Sequence, residues 1–513
     1  MRTRLNSRKA VQYLTLAGFL ALYARTAYHG QDEITWPVHL VFKLDPLALL
    51  NTIIAGGSPS AALLLGGLAM AAATLLLGRF FCGWLCPMGT SLDIFGNLLR
   101  RGVKKRRGYR SIKPPRYSQT VIFAALLAAT AAGLPLLAFL DPLSIFLRSL
   151  TVSVFPAFDS LTKSILGAGM NASVPLSETV FEFMSEHVLL LKTPLFLLAG
   201  ATAAIFIAII LLELISPRFW CAYLCPLGGL LGIISKLSPF ERARLKGCKE
   251  CRGCAARCPT GAAEVTPADK ALCIQCMECG ELCDKGVNGM SARLAPLSLS
   301  LPEQRVRRGL LASLVIGGGA ALFTGTSATA NRRGTRFLRP PGGVDEERFN
   351  KLCIRCGACM RVCPRNGIHP TFGEAGLGGL WSPRLVPRLG YCEYHCRLCG
   401  QVCPTGAIEY LREGEKEAWV IGNAVLDKNR CLPLRDGTPC IVCEEHCPIS
   451  PKAIEFDVRE VTRKEGDVVT VKQPRVVAER CNGCGICENK CPLEGEAAIR
   501  VERAQPEISS PYG

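Results

Sequence analysis

Six sets of four cysteines hold the clearest chemistry in this chain. Cys248, Cys251, Cys254 and Cys258-Pro259 form C-x2-C-x2-C-x3-C-P. In that spacing the closely placed thiolates wrap one face of an iron–sulfur cubane, and the distal cysteine serves a neighbouring cluster. Cys273, Cys276, Cys279 and Cys283 repeat the pattern without the proline. Four more sets follow: Cys353, Cys356, Cys359, Cys363; Cys392, Cys396, Cys399, Cys403; Cys431, Cys440, Cys443, Cys447; and Cys481, Cys484, Cys487, Cys491. A disulfide framework suits a short secreted chain, not one of 513 residues with quartets at fixed gaps. Structural zinc prefers two separated pairs of cysteines to three closely spaced ones followed by C-P. The expectation is six 4Fe-4S clusters. Ligand exchange builds an inner pair, Cys248, Cys251, Cys254 with Cys283 and Cys273, Cys276, Cys279 with Cys258. The last four sets pair first with fourth and second with third, or consecutively, and spacing leaves both open.

The other four of the 28 cysteines lie in two matching elements. Arg79-Phe-Phe-Cys82-Gly-Trp-Leu-Cys86-Pro-Met-Gly89 parallels Arg218-Phe-Trp-Cys221-Ala-Tyr-Leu-Cys225-Pro-Leu-Gly228. Upstream, Leu44-Asp45-Pro46-Leu47 parallels Leu140-Asp141-Pro142-Leu143. A duplicated unit is expected, and sites in duplicated membrane proteins often lie between the repeats. On a helix, sulfurs four residues apart share one face, so two C-x3-C faces can supply four ligands to one metal centre. The other readings are a redox-active thiol pair and a structural helix end with reduced thiols. No C-x-x-C-H is present, so covalent haem c is not indicated.

Elements that position these sets are read from hydropathy. The chain is 49% hydrophobic, with a mean hydropathy of +0.24. Apolar runs at Val11 to Tyr28, Ala61 to Gly78, Val121 to Leu140 and Thr193 to Ile215 approach or reach bilayer-crossing length, and Gly309 to Gly325 is a shorter fifth. Basic residues before the first run and at 100–116 place those segments in the cytoplasm; the acidic loops around Asp45 and Glu178 fall outside. The charge excess sits in the first part: residues 1–330 hold 33 Lys+Arg against 18 Asp+Glu, and 331–513 hold 27 against 24. Positive-inside loops explain that excess without a nucleic-acid partner. Arg305-Val-Arg307-Arg308, an apolar run and Ser327-Ala328-Thr329-Ala330 stand in signal-peptide order with a twin-arginine-like pair.

The fold class expected is therefore a polytopic α-helical membrane domain, four spans plus a fifth signal-anchor-like span, with α+β ferredoxin-like 4Fe-4S modules. The divisions are 1–240 membrane domain, 241–300 cytoplasmic two-cluster module, 301–330 signal or transmembrane segment, and 331–513 periplasmic four-cluster domain. The location expected is the bacterial inner membrane, multi-pass.

On these motifs residues 1 to about 300 resemble the NapH/MauN membrane ferredoxins. Residues from about 305, with an Arg-Arg leader, Cys392-x3-Cys396 and Cys431-x8-Cys440, resemble the NapG/MauM ferredoxins, so the chain looks like a natural fusion of the two. The resemblance implies a quinol dehydrogenase module passing electrons from the membrane quinone pool to a periplasmic cytochrome or reductase, as in periplasmic nitrate reduction. Asp45, Asp141 and Glu213 are then quinol-site candidates, against helix-cap, turn or interfacial roles. The competing functions are an electron-supplying maturation factor for a periplasmic redox enzyme, and a scaffold with structural clusters. No phosphate loop, dinucleotide fingerprint or nucleophile triad is present.

Overall fold

A computed structural model describes residues 7–28, 30–104, 114–172, 177–190, 193–244, 253–265, 268–281, 288–292, 308, 311–312, 336–463 and 467–503. Cys248, Cys251 and Cys283 lie outside these residues, as does nearly all of the 301–330 leader.

The polytopic membrane domain is corrected by the structure. Among the described residues no helix is long and apolar enough to cross a membrane. The apolar runs were counted as continuous helices, and the backbone divides them. α1, Ser7–Arg25, carries Arg8, Lys9, Gln12 and Arg25 within its length. α3, Ala61–Leu77, has 17 residues and stops at Gly78, whose φ is +71°; at 1.5 Å per residue it spans roughly 26 Å. Val121 to Leu140 splits into α6, Ser118–Ala131, and the four-residue α7, Leu136–Phe139, with Gly133 at φ +96° and Pro135 between them. Thr193 to Ile215 yields only α11, Ala199–Leu211, before a 3-10 turn at Leu212–Leu214. The fifth run falls almost wholly outside the described residues.

The internal repeat is real in three dimensions. α2, Pro46–Ile54, begins at Asp45, which accepts from Leu47 N at 2.9 Å, and α8, Pro142–Ser149, begins at Asp141, which accepts from Ser144 N at 2.7 Å. Each aspartate satisfies an orphan helix donor, and each helix has proline at its first position, where no N–H is needed. The C-x3-C pairs do not share one helix face as expected. Cys82 sits in α4, Phe80–Trp84, while Cys86 stands at the start of α5, Pro87–Lys104. Cys221 lies in a π turn, Trp220–Leu224, and Cys225 caps α12, Pro226–Ser235. The proline after each second cysteine cannot continue the preceding helix, so the chain turns there and starts another.

Four antiparallel strand pairs build the ferredoxin modules. β1, Phe240–Arg244, pairs with β2, Asn288–Ala292; β3, Ile368–Pro370, with β4, Pro383–Leu385. β5, Asn423–Leu426, pairs with β8, Ile499–Glu502, and the longer hairpin of β6, Ile454–Thr462, and β7, Val468–Val476, lies between them in sequence.

The ferredoxin module of residues 336–503 packs directly on the repeat. One hydrophobic core runs from Phe19, Leu47 and Leu143 to Ile354, Ala358 and Val402. Cross-links include Asn51 Nδ2 to Lys351 O (3.1 Å), Trp381 Nε1 to Thr202 Oγ1 (2.8 Å) and a two-way pair between Gln401 and Ile34. Arg361 enters this interface between Tyr23 and Phe155, its guanidinium 4.4 and 3.9 Å from the two ring centroids. Among the described residues neither of its Nη atoms has a hydrogen-bond partner, and its Nε donates only a long bond, 3.5 Å, to Tyr23 O. Its contribution is therefore packing and cation–π attraction, offset by the desolvation of a charge. Arg361→Met, which keeps the volume and removes the charge, is expected to leave the thermal midpoint unchanged or raised. Arg361→Ala is expected to lose about 2–4 kcal/mol through the cavity it leaves.

Candidate iron–sulfur sites

Four cavities are each lined by four cysteines. The first joins Cys353, Cys356 and Cys359 to Cys403, and the second joins Cys447 to Cys481, Cys484 and Cys487. The third joins Cys431, Cys440 and Cys443 to Cys491, and the fourth joins Cys258 to Cys273, Cys276 and Cys279. A further quartet is evident from electrostatics, since Cys399 interacts with Cys392, Cys396 and Cys363. Three cysteines of one set and the last of its neighbour therefore meet at each of these five sites. The module pairing left open by the spacing is consecutive: third set with fourth, fifth with sixth.

Local backbone explains the spacing. Gly357 and Gly485, at φ +82° and +80°, start the short helices Ala358–Val362 and Ile486–Lys490 that carry Cys359 and Cys487. Backbone N–H groups turn toward the sulfurs: Gly367 to Cys363 at 3.3 Å, Ile408 to Cys403, Ala424 to Cys481 and Ala498 to Cys491 at 3.4 Å each. Such donors favour sulfur as thiolate and tune a bound cluster. Burial pushes the Cys392 and Cys484 thiols up to about 11, so they are protonated at neutral pH until a cluster displaces the protons.

These sites form a series. Cys359 lies within electrostatic reach of Cys399, and Cys487 of Cys443. Between the two modules Cys392 N donates to Cys484 O at 2.9 Å. Lys416, 1% exposed, donates to Tyr394 O and interacts with both Cys392 and Cys484. Nothing in the spacing marked that lysine, because its role arises from two cysteine sets that meet only in the fold. Arg148 and Arg355, both buried, donate to backbone carbonyls and interact with Cys353.

The inner site packs on the opposite side of the repeat. Trp84 Nε1 donates to Gln275 O at 2.9 Å, and Arg8 bridges Asp93 (2.9 Å) and Glu278 (2.6 Å). A Cβ on Gly83 would stand 2.0 Å from Ile274 O, so only glycine permits this approach. Burial pushes the Asp93 carboxyl up, but Arg218 and Arg8 outweigh it and hold it down at about 2.

Cys82, Cys86, Cys221 and Cys225 are all buried and gather between the repeats. The bracing is reciprocal: Arg218 Nη1 donates to Cys82 O at 2.6 Å, and Arg79 Nη2 donates to Cys221 O at 3.2 Å. Gly89 N and Gly228 N point at Cys86 Sγ (3.5 Å) and Cys225 Sγ (3.3 Å).

Asp45 and Asp141 meet, although 96 positions separate them. Among the described residues Asp45 Oδ2 and Asp141 Oδ1 receive no bond from any third group, and burial raises both carboxyls. Glu213 is elsewhere. It pairs with Arg100 at 2.8 Å and accepts from Arg218 N at 3.0 Å, which anchors the second repeat.

Comparison with known proteins brings 4Fe-4S domains to part of this chain. The 4Fe-4S dicluster domain matches residues 352–407, the third and fourth sets together, and the 4Fe-4S binding domain matches 60–106 and 198–244. The methylamine utilization ferredoxin-type protein MauM of Methylorubrum extorquens is 32% identical over 212 residues, 40% of this chain and 91% of the relative. The chain belongs to the MauM/NapG ferredoxin-type family. The ferredoxin-type protein NapG of Escherichia coli is 33% identical over 211 residues, 40% of this chain and 89% of that protein. The shorter match to the E. coli ferredoxin-type protein NapF is 28% identical over 167 residues, 33% of this chain and 87% of that protein. No solved structure matches. The chain is thus an iron–sulfur electron-transfer protein related to MauM, NapG and NapF.

Proposed function

We propose that this protein oxidises a quinol and passes the electrons singly, through six 4Fe-4S clusters, to a periplasmic redox partner. The observation that carries the reading is the single file of cysteine sites, which offers a path from the repeat to the far end of the four-cluster module. A 4Fe-4S cluster at each quartet supplies one-electron exchange. The residues around it supply the rest: amide groups aimed at sulfur, and buried Arg148, Arg355 and Lys416 that favour an added electron. Each quinol also releases two protons. The buried pair of Asp45 and Asp141, which already shares one proton, is placed to take them one at a time and hand each on, with Cys86 and Arg148 in electrostatic reach of Asp141. The NapH/MauN-like reading of residues 1–300 rests on the order of their cysteine motifs, and the periplasmic acceptor on the NapG and MauM likeness.

Mixing the anaerobically purified protein with a menaquinol analogue is expected to produce the electron paramagnetic resonance signals of reduced clusters. Reduction by dithionite but not by quinol would overturn the reading and favour maturation of a redox enzyme, with another electron donor.

A further inference from the structure

We propose that Cys82, Cys86, Cys221 and Cys225 together hold one additional iron–sulfur cluster, shared by the two repeats.

Ligand count points there first. The 4Fe-4S binding domain matches the chain twice, at 60–106 and 198–244, yet each stretch contains only two cysteines. Neither repeat can ligate a cluster alone. In the fold each of the four thiols interacts electrostatically with the other three, and all are 5–8% exposed. They arrive from matching junctions, two from the π turn or short helix and two from the starts of α5 and α12. None is in a disulfide.

Charge is the independent observation. Arg79 is fully buried, and its guanidinium reaches Gln119 Oε1 at 3.1 Å, the carbonyls of Ala271 and Cys221, and Cys82 Sγ at 3.9 Å. Among the described residues no carboxylate pairs with it. A buried guanidinium beside four neutral thiols is an uncompensated charge, which is costly. Four thiolates around an iron–sulfide core leave a net negative charge, and the cost disappears. The Cys353 site repeats this arrangement, with Arg148 and Arg355 hydrogen-bonded to carbonyls and facing cysteines.

Likeness to the ferredoxin quartets favours a cluster over a single ion. Among the described residues no three His, Cys, Asp or Glu side chains close around a one-ion site. The same holds at the ferredoxin quartets, as it must where thiolates grip separate corners of a cubane. The amide groups of Gly89 and Gly228, at the starts of α5 and α12, complete the likeness.

Position gives the cluster its use, and this part rests on the electron path proposed above. Arg218 touches the Cys82 carbonyl and interacts with Cys276 of the inner site; Cys86 interacts with Asp141, which interacts with Arg148 beside Cys356. The shared cluster links the two ferredoxin modules. It gains one electron from the quinol or the inner site and gives one to the Cys353 site, with no change in ligands.

The test uses the full-length protein, purified without oxygen, and counts iron and acid-labile sulfide per chain. C82S, C86S, C221S and C225S are each expected to lose the same cluster, about two to four iron atoms by cluster type. C82S/C221S should lose no more than either single change. Signals of the ferredoxin clusters should persist, showing that the fold survives. Should a serine variant not fold, Arg79→Gln keeps all four ligands and is expected to shift one reduction potential downward, since a cation beside the added electron is gone. Unchanged iron in the folded single variants, additive losses in the double, or zinc in the wild-type site would overturn the proposal. Loss of the cluster with quinol reduction of the outer sites intact would uphold the site and remove it from the electron path.

Discussion

Replacing Cys403 with serine is expected to remove the cluster ligated by Cys353, Cys356 and Cys359, and to spare that of Cys392, Cys396 and Cys399. Cys403 belongs by sequence to the fourth set, but its sulfur lines the cavity of the third. The Ile408 amide that points at it at 3.4 Å would be left facing a shorter, harder oxygen. Iron should fall by about four atoms per chain. The signal lost must be the one lost in C353S, not the one lost in C396S or C431S. Pairing of the second and third outer sets, which the spacing also allowed, would instead make C403S resemble C431S. The effect on electron flow should be large, because the Cys353 site joins the repeat to the other three outer sites.

Asparagine at Asp45 or Asp141 is expected to slow quinol-driven cluster reduction by about 10²–10⁴-fold, the usual reach of a positioned proton acceptor. The two carboxyls face each other out of water, so both cannot ionise and the pair retains one proton. An asparagine amide can donate the hydrogen bond that the shared proton supplies, so folding should survive. Burial raises both groups, which means the proton-accepting form grows with pH. Wild-type reduction by quinol should therefore quicken as pH rises, and D45N and D141N should flatten that dependence. The guanidinium of Arg148 and the neutral thiol of Cys86 bear on Asp141, and neither changes in the variants. Stopped-flow absorbance with menaquinol, set against dithionite reduction as control, separates loss of proton acceptance from loss of clusters. Equal rates in wild type and variants would leave the pair with helix capping alone, which Leu47 N and Ser144 N already show.

The cysteine sets and the repeat were legible because each leaves a local mark. Cysteines at two- and three-residue gaps announce themselves, and so does an Arg-x-x-Cys-x3-Cys-Pro element that occurs twice. The membrane spans read from hydropathy were a misreading, since hydropathy counts apolar residues and does not see where Gly78, Gly133 and Pro135 end a helix. Glu213 was grouped with Asp45 and Asp141 as a candidate, but α11 stops at Leu211 and Glu213 pairs with Arg100 instead.

By itself the sequence determined where the cysteine sets stand, that their spacing is of the 4Fe-4S kind and that the first part is duplicated, because those properties follow from residue type and short spacing. Only the tertiary structure decided which cysteine serves which site. It alone brought Asp45 to Asp141 and two distant cysteine pairs into one quartet, and it placed Lys416 between the modules. Each of those is a contact between segments far apart in the chain, set by how buried apolar surfaces pack, and local spacing carries no record of it.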